Sequence, residues 1–432
     1  MPLHTSSLNR LNLDKDMRTS TLNGLKSLVP SRTKSRIKDH LCRLRDEIAF
    51  TSPQKWIEAD QYGKFFSNNW HVAYDSTPIP KPSMVQYGSL SLTKANKSPI
   101  YPEYSCEFGV LKLSNALFYG GHGWIFTPQG HLLLDHCISA GNYESMAGHV
   151  KVPRLIPKGK RLNGVCLTIA SDWGSHYGHW LVESLPRLEL IRKTGFKLDD
   201  VDHFLCSKPS QGTPENLFKK LKIPMEKCIW INSNDRDIAF QVETLLAPSF
   251  PRTYQYPVPW VPKFLQNEFL PMPLAAPTRR LFLSRKDYKG RNPVNSENIT
   301  EILLRHKFEF FNPESHPNSQ QVFSEAAIVV GATGSALAGL VFCQPGTKVL
   351  ELVSTDMPIL SGSPLAHAAG LDYGYLVCES SYQRAVQWDG TQTTYDFHVN
   401  EDELDQTLAK LTSKSESPPS AAPSTAPGLS LK

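Results

Sequence analysis

From about residue 163, short apolar runs of strand type alternate with stretches spaced as helices, and after a proline-dense break the alternation starts again. Residues 165–170 read as a buried strand, and apolar residues at Leu181, Leu185, Leu188 and Ile191 predict a helix over 180–193. Strands are expected over 202–206, 229–231 and 243–247, with a short helix over 217–221. Pro248, Pro251, Pro257, Pro259, Pro262, Pro271, Pro273 and Pro277 follow. Locked φ angles and missing N–H groups at that density resist regular structure and suit an interdomain linker. Beyond it, strands are expected over 280–284, 308–311, 327–331 and 348–353, and helices over 297–306, 320–327 and 335–342. Parallel strands need a crossover connection, so repeated βα units predict parallel sheets covered by helices. The expected fold is α/β, with two Rossmann-like domains facing a cleft. A small β-rich region over 84–137 belongs to the N-terminal half, where Pro128-Gln129-Gly130 before a leucine run signals strand, turn, strand.

This pattern divides the chain into a basic N-terminal extension (1–60), an N-terminal domain (61–250), the proline-rich linker (251–277), a C-terminal domain (278–412) and a Ser/Pro/Ala-rich tail (413–432) expected to be disordered. A length of 432 residues fits two cores better than one. Net charge is +5, and the densest basic stretch, Arg32 to Arg45, accompanies no recognisable nucleic-acid module. Nucleic acid is therefore not an expected partner. That stretch suits either a solvated helix or peripheral association with an anionic membrane surface. The eight cysteines are scattered without a C-x-x-C pair, which excludes a zinc-ribbon or disulfide framework. The N-terminus lacks the charged-then-apolar order of a secretory signal, and no run approaches the roughly 18 apolar residues of a membrane span. A cytoplasmic location follows, at most at the inner face of the membrane.

Four places offer chemistry. Ser175-His176-Tyr177-Gly178-His179-Trp180-Leu181-Val182-Glu183 lies between a buried strand and a helix, where open α/β sheets bind ligands. His179 and Glu183, four apart, project from one helix face, and a carboxylate-oriented imidazole is a suitable base for a hydroxyl nucleophile. The same spacing also suits a loop-capping histidine and a glutamate tied to Arg187. At the second place, Arg285 and Lys286 stand at the C-terminal end of a strand, positioned either to hold a diphosphate or simply to be solvated, with Arg291, Asn295 and Glu297 following. Third, Gly331-Ala332-Thr333-Gly334-Ser335 leads from a buried strand into a helix, as a phosphate-approaching turn or as close packing. It has neither the G-x-G-x-x-G of a dinucleotide-binding dehydrogenase nor a Walker lysine, so oxidoreductase and ATPase readings fall. Fourth, Glu351 sits in an apolar strand, suited to ribose hydroxyls or to a buried ion pair. No His/Cys/Asp/Glu spacing is diagnostic of a metal, and Asp235-Arg236-Asp237 lies in a turn-like cluster.

In order, Tyr177-Gly-His-Trp-Leu-Val-Glu-Ser-Leu-Pro-Arg187, Ser284-Arg285, Phe323-Ser-Glu-Ala326, Gly331-Ala-Thr-Gly-Ser-Ala-Leu337 and Pro345-Gly-Thr-Lys-Val-Leu-Glu-Leu352 resemble glycosyltransferase family 61, whose bacterial members are often labelled capsular polysaccharide biosynthesis proteins. The resemblance covers about residues 100–355. It implies a GT-B arrangement and inverting transfer from a nucleotide sugar, UDP being the expected carrier, to a glycan or lipid-linked glycan acceptor, with no cofactor and no metal. Donor contacts would fall on Arg285, Lys286, Thr333, Gly334, Ser335 and Glu351. The acceptor side would include His176, Tyr177 and Trp180, with His179 and Glu183 as the catalytic pair. The chain departs from the family in having Asn295-Ser296-Glu297 where an Asn-Glu pair is common, and Thr333 where many members carry histidine. A non-catalytic carbohydrate-binding or scaffold protein on the same fold is the alternative.

Overall fold

A computed structural model describes residues 48–50, 56–64, 68–92, 102–133, 156–171, 173–209, 214–232, 234–235, 237–253, 256–285, 290–383, 385–387 and 393–413. Most of the expected N-terminal extension, the expected tail from residue 414, and Lys286 and Arg236 lie outside the described residues.

Ten strands of the two main sheets lie before the proline-rich crossing among the described residues: β1 (Trp56–Ile57), β2 (Trp70–Tyr74), β3 (Met84–Tyr87), β4 (Phe108–Tyr119), β5 (Trp124–Phe126), β6 (Leu132–Leu133), β7 (Lys160–Thr168), β8 (His203–Ser207), β9 (Cys228–Ile231) and β10 (Ala239–Pro248). After it come β11 (Arg279–Leu283), β12 (Glu309–Phe311), β13 (Ala326–Ala332), β14 (Lys348–Ser354), β15 (Asp372–Ser380) and β16 (Phe397–His398). The first sheet runs β9-β8-β7-β10-β4-β5-β6-β1, with β2 also beside β4. Its β9, β8, β7 and β10 are parallel neighbours, while β4 is antiparallel to both β10 and β5. The second sheet runs β12-β11-β13-β14-β15-β16 and is parallel up to β15. The α/β expectation is met, and the β-rich entry region supplies the antiparallel part of the first sheet.

One strand crosses the expected boundary. β3, from the N-terminal half, pairs in parallel with β15, matching Met84 to Tyr373 and Tyr87 to Leu376. Backbone groups on a strand edge need partners, and β3 supplies them to a stretch that the second half leaves unpaired.

Two expectations need correction. Residues 180–193 are not one regular helix. The helical run starts earlier, as an α turn at Tyr177–His179, widens to a π turn at Trp180–Ser184, and resumes as the α-helix Arg187–Lys193. Pro186 is the cause: it has no N–H and its ring crowds the carbonyl four residues back, so Leu185 N–H reaches back five residues to the Trp180 carbonyl, at 3.2 Å. The proline-rich crossing is also more regular than its composition suggests. It holds a small hairpin, Arg252–Thr253 against Tyr256–Pro257, and an α-helix, Trp260–Phe269. The prolines sit where a helix tolerates them: Pro259 caps it and Pro262 lies in its first turn.

That helix joins the halves rather than separating them. Val261, Phe264 and Leu265 pack in one apolar cluster with Leu185 and Leu188 from the first half and Leu337, Leu340 and Phe342 from the second. Gln266 Nε2 donates to the Val341 and Cys343 carbonyls at 2.8 and 3.0 Å, satisfying the end of the 3₁₀-helix Ser335–Phe342.

Candidate active site

β7 and β13 each end at the same seam, and the turn after each strand carries the residues of interest. The helical run after β7 meets the 3₁₀-helix after β13 at Gly178. A methyl there would lie 3.3 Å from Ala338 Cβ and 3.5 Å from the Ser335 carbonyl oxygen. The crevice beside this contact is lined by Tyr177 and Leu181 on one wall, Ser335 and Ala336 on the other, and Pro313 and Glu314 between.

On the first wall, His179 Nδ1 lies 2.5 Å from Glu183 Oε1. Glu183 is 2 % exposed and carries a second ion pair, to Arg252 Nη1 at 2.9 Å. Burial pushes the Glu183 carboxyl up, but Arg252 and His179 outweigh it and hold it below the ordinary carboxylate range. An ionised carboxylate only accepts, so in this short contact the imidazole donates from Nδ1. Half-buried His179 shares a ring cluster with Trp173 (6.1 Å) and His176 (6.3 Å). Burial and the neighbouring His179 lower the His176 pKa.

Arg187 does not bind Glu183, as its spacing allows. Its Nε and Nη2 donate to the Pro248 carbonyl at 3.0 and 2.7 Å, and its Nη1 to the Ala170 carbonyl at 2.9 Å. It fastens the helical run to two strand ends. Trp180, expected on the acceptor side, is also interior: it is 1 % exposed and stacks on Phe218 at 5.6 Å.

On the second wall, Arg285 is only 8 % exposed. Burial, and then the charge of Arg291, lower its pKa to about 10. It thus stays cationic at neutral pH while held in an environment that favours adding negative charge. Burial likewise lowers the Arg291 pKa. Arg291 Nη1 donates to the Thr333 carbonyl at 3.1 Å. Gly334 is the point on which both cations converge: a Cβ there would stand 2.4 Å from Arg285 Nη1 and 3.6 Å from Arg291 Nη1. Glycine is needed because a guanidinium occupies the space of a side chain. Ser335, next in sequence, is exposed at the crevice.

Thr333 and Glu351 face the other way. The Thr333 hydroxyl donates to Glu351 Oε1 at 2.8 Å. Glu351 is 0 % exposed and also accepts from Ser361 Oγ (3.1 Å), Gly362 N–H (2.9 Å) and Tyr373 OH (2.6 Å). Burial raises its pKa despite these four donors. Instead of standing at the crevice surface, the carboxyl pins the glycine turn from below.

The structure therefore brings His176, Tyr177, His179, Glu183, Arg285, Gly334 and Ser335 to one seam, and places Trp180, Thr333 and Glu351 beneath it. Sequence reasoning missed Arg252, which no spacing rule connects to Glu183, and Trp173. It noted Arg291 without pairing it to Arg285. Among the described residues no group of three or more His, Cys, Asp or Glu is arranged to hold a metal ion. No helix of the described residues is long and apolar enough to cross a membrane.

Residues 177–350, a little less than half of the chain, match the family model Glycosyltransferase 61. The match supports a glycosyltransferase, and the matched stretch contains Tyr177, His179, Glu183, Arg252, Arg285, Arg291, Gly334 and Ser335 but neither His176 nor Glu351. No curated protein matches the chain.

Proposed function

We propose that the protein moves a sugar from a nucleotide-sugar donor, with UDP the expected carrier, to a hydroxyl of a glycan acceptor, with inversion. On this reading the two halves work as a GT-B pair, and the product belongs to cell-surface polysaccharide assembly in the cytoplasm. The observation that carries the proposal is the convergence of two guanidiniums, buried Arg285 and half-buried Arg291, on Gly334, at the seam that the His179–Glu183 helical run also meets.

A diphosphate leaving group gains charge as the anomeric C–O bond breaks, and preorganised guanidiniums in a water-poor site stabilise that charge most strongly. His179 Nε2 takes the acceptor hydroxyl proton, the oxygen attacks the anomeric carbon, and the nucleoside diphosphate departs onto the arginines. Ser335 and the N–H groups at the start of the 3₁₀-helix add donors beside them. Glu351 and Thr333 hold the turn in place.

The test is nucleotide release from a panel of nucleotide sugars, with and without oligosaccharide acceptors. Wild-type protein should release nucleotide from at least one donor. Arg285→Ala should lower kcat/KM by roughly 10²-fold or more, and His179→Ala should lower kcat by roughly 10²- to 10⁴-fold, with both variants folded. Full activity in both would sink the site assignment. Turnover with no donor would favour a carbohydrate-binding protein on the same fold.

A further inference from the structure

We propose that Arg252 is a positioning residue for His179: it cancels the charge of Glu183, so that the imidazole stays neutral, with Nε2 ready to accept a proton, at neutral pH. This rests on His179 being the base, yet the charge balance can be tested without any substrate.

Glu183 is a buried anion whose Oε1 contacts two groups at once, the imidazole of His179 at 2.5 Å and Arg252 Nη1 at 2.9 Å. A buried carboxylate alone beside an imidazole favours imidazolium, because the opposite charge within a few ångströms stabilises the protonated form by about one to three pH units. A histidine protonated in that way is a poor base. A cation on the same oxygen opposes the effect, since its field acts on the imidazolium with the opposite sign. Orientation survives, because the Nδ1–H still has its acceptor.

Arg252 is built to stay there. Its side chain is nearly buried, and its backbone lies in the hairpin that pairs it with Pro257. Its N–H donates to the Phe250 carbonyl at 2.8 Å, and the Phe250 ring lies under the Arg187 guanidinium at 4.7 Å. Among the described residues Arg252 has no other ion-pair partner, so its charge is directed at Glu183. Among the described residues the other titratable or charged groups around the cluster are His176 on the same helical run and Arg187, which is held on the Pro248 and Ala170 carbonyls. Across the crevice Glu314 faces Tyr177 and Arg285. Glu183 is the only acid in contact with His179 among the described residues.

The full chain labelled with [13Cε1]histidine gives the readout, with His179→Gln identifying the resonance and the midpoint followed from roughly pH 5 to 9. In Arg252→Gln the His179 midpoint should rise by about one unit or more, and Arg252→Lys should stay close to wild type. Glu183→Gln should lower the midpoint by about one unit, and Glu183→Gln with Arg252→Gln should return it toward wild type. The double variant buries no uncompensated charge, so it keeps the test available if Arg252→Gln does not fold. An unchanged midpoint in folded Arg252→Gln, or equal midpoints in Glu183→Gln and the double variant, overturns the proposal, because a merely structural arginine would move neither. In nucleotide release from UDP-sugars, the acid limb of the kcat profile should shift upward with the midpoint. Activity retained in His179→Ala would overturn the base reading instead, and would leave the midpoints as an independent result.

Discussion

Gly334 and Arg285 share one volume. With a methyl at position 334 only 2.4 Å from Arg285 Nη1, the guanidinium must move, and it is the flexible partner. Gly334→Ala should therefore leave stability within about 1 kcal/mol of wild type while weakening nucleotide binding, measured by calorimetry with UDP, by roughly 10-fold or more. Undisturbed binding would show that Arg285 does not need its present position. The same scale explains the fate of Glu351. A carboxyl at the C-terminal end of a strand is legible in the sequence, but its partners Thr333, Ser361 and Tyr373 are scattered over about forty residues. Nothing in the strand pattern says whether such a group faces ligand or is surrounded by donors. His179 and Glu183 were legible because helical spacing places i and i+4 together; Arg252 was not, because its approach depends on a hairpin turned by tertiary packing.

The 3₁₀-helix Ser335–Phe342 is the element on which both walls depend. It packs against the helical run at Gly178, against the helix Trp260–Phe269 through Gln266, and against Phe323 at Gly339. An added Cβ at Gly339 would lie 2.0 Å from the Phe323 ring, and both residues are buried. Gly339→Ala should cost about 1–3 kcal/mol, read as a lower midpoint in urea unfolding. Donor turnover should also fall, because the helix start carries Ser335 beside the two arginines. A variant with unchanged stability would mean that Phe323 can swing away at no cost. The alternation of strand and helix predicted this element to within a residue, although not its tighter winding. The π turn at Trp180–Ser184 follows from Pro186, a signal present in the sequence. The helix Trp260–Phe269 was hidden by proline count, since the position of each proline in a helix matters more than their density.

For the whole molecule, the two sheets are not independent bodies. Strand β3 completes the second sheet from the first half, and one apolar cluster runs through Leu188, Phe264 and Leu340. Heat unfolding should therefore show a single transition, with calorimetric and van't Hoff enthalpies in agreement. The C-terminal half expressed alone, beginning near residue 278, should be insoluble or unfolded, because the Tyr373–Leu376 edge and the face packed on Phe264 would be exposed. Two separated transitions, or a stable isolated half, would contradict the shared core. By itself the sequence determined the α/β class, the position of most strands and helices, and the stretches that carry chemistry, because hydrophobic period and proline and glycine placement act locally. Tertiary structure decided which charged groups face one another. It set Arg252 on Glu183, converged Arg285 and Arg291 on Gly334, and turned Trp180 and Glu351 inward, since burial and charge pairing depend on chain segments far apart in sequence.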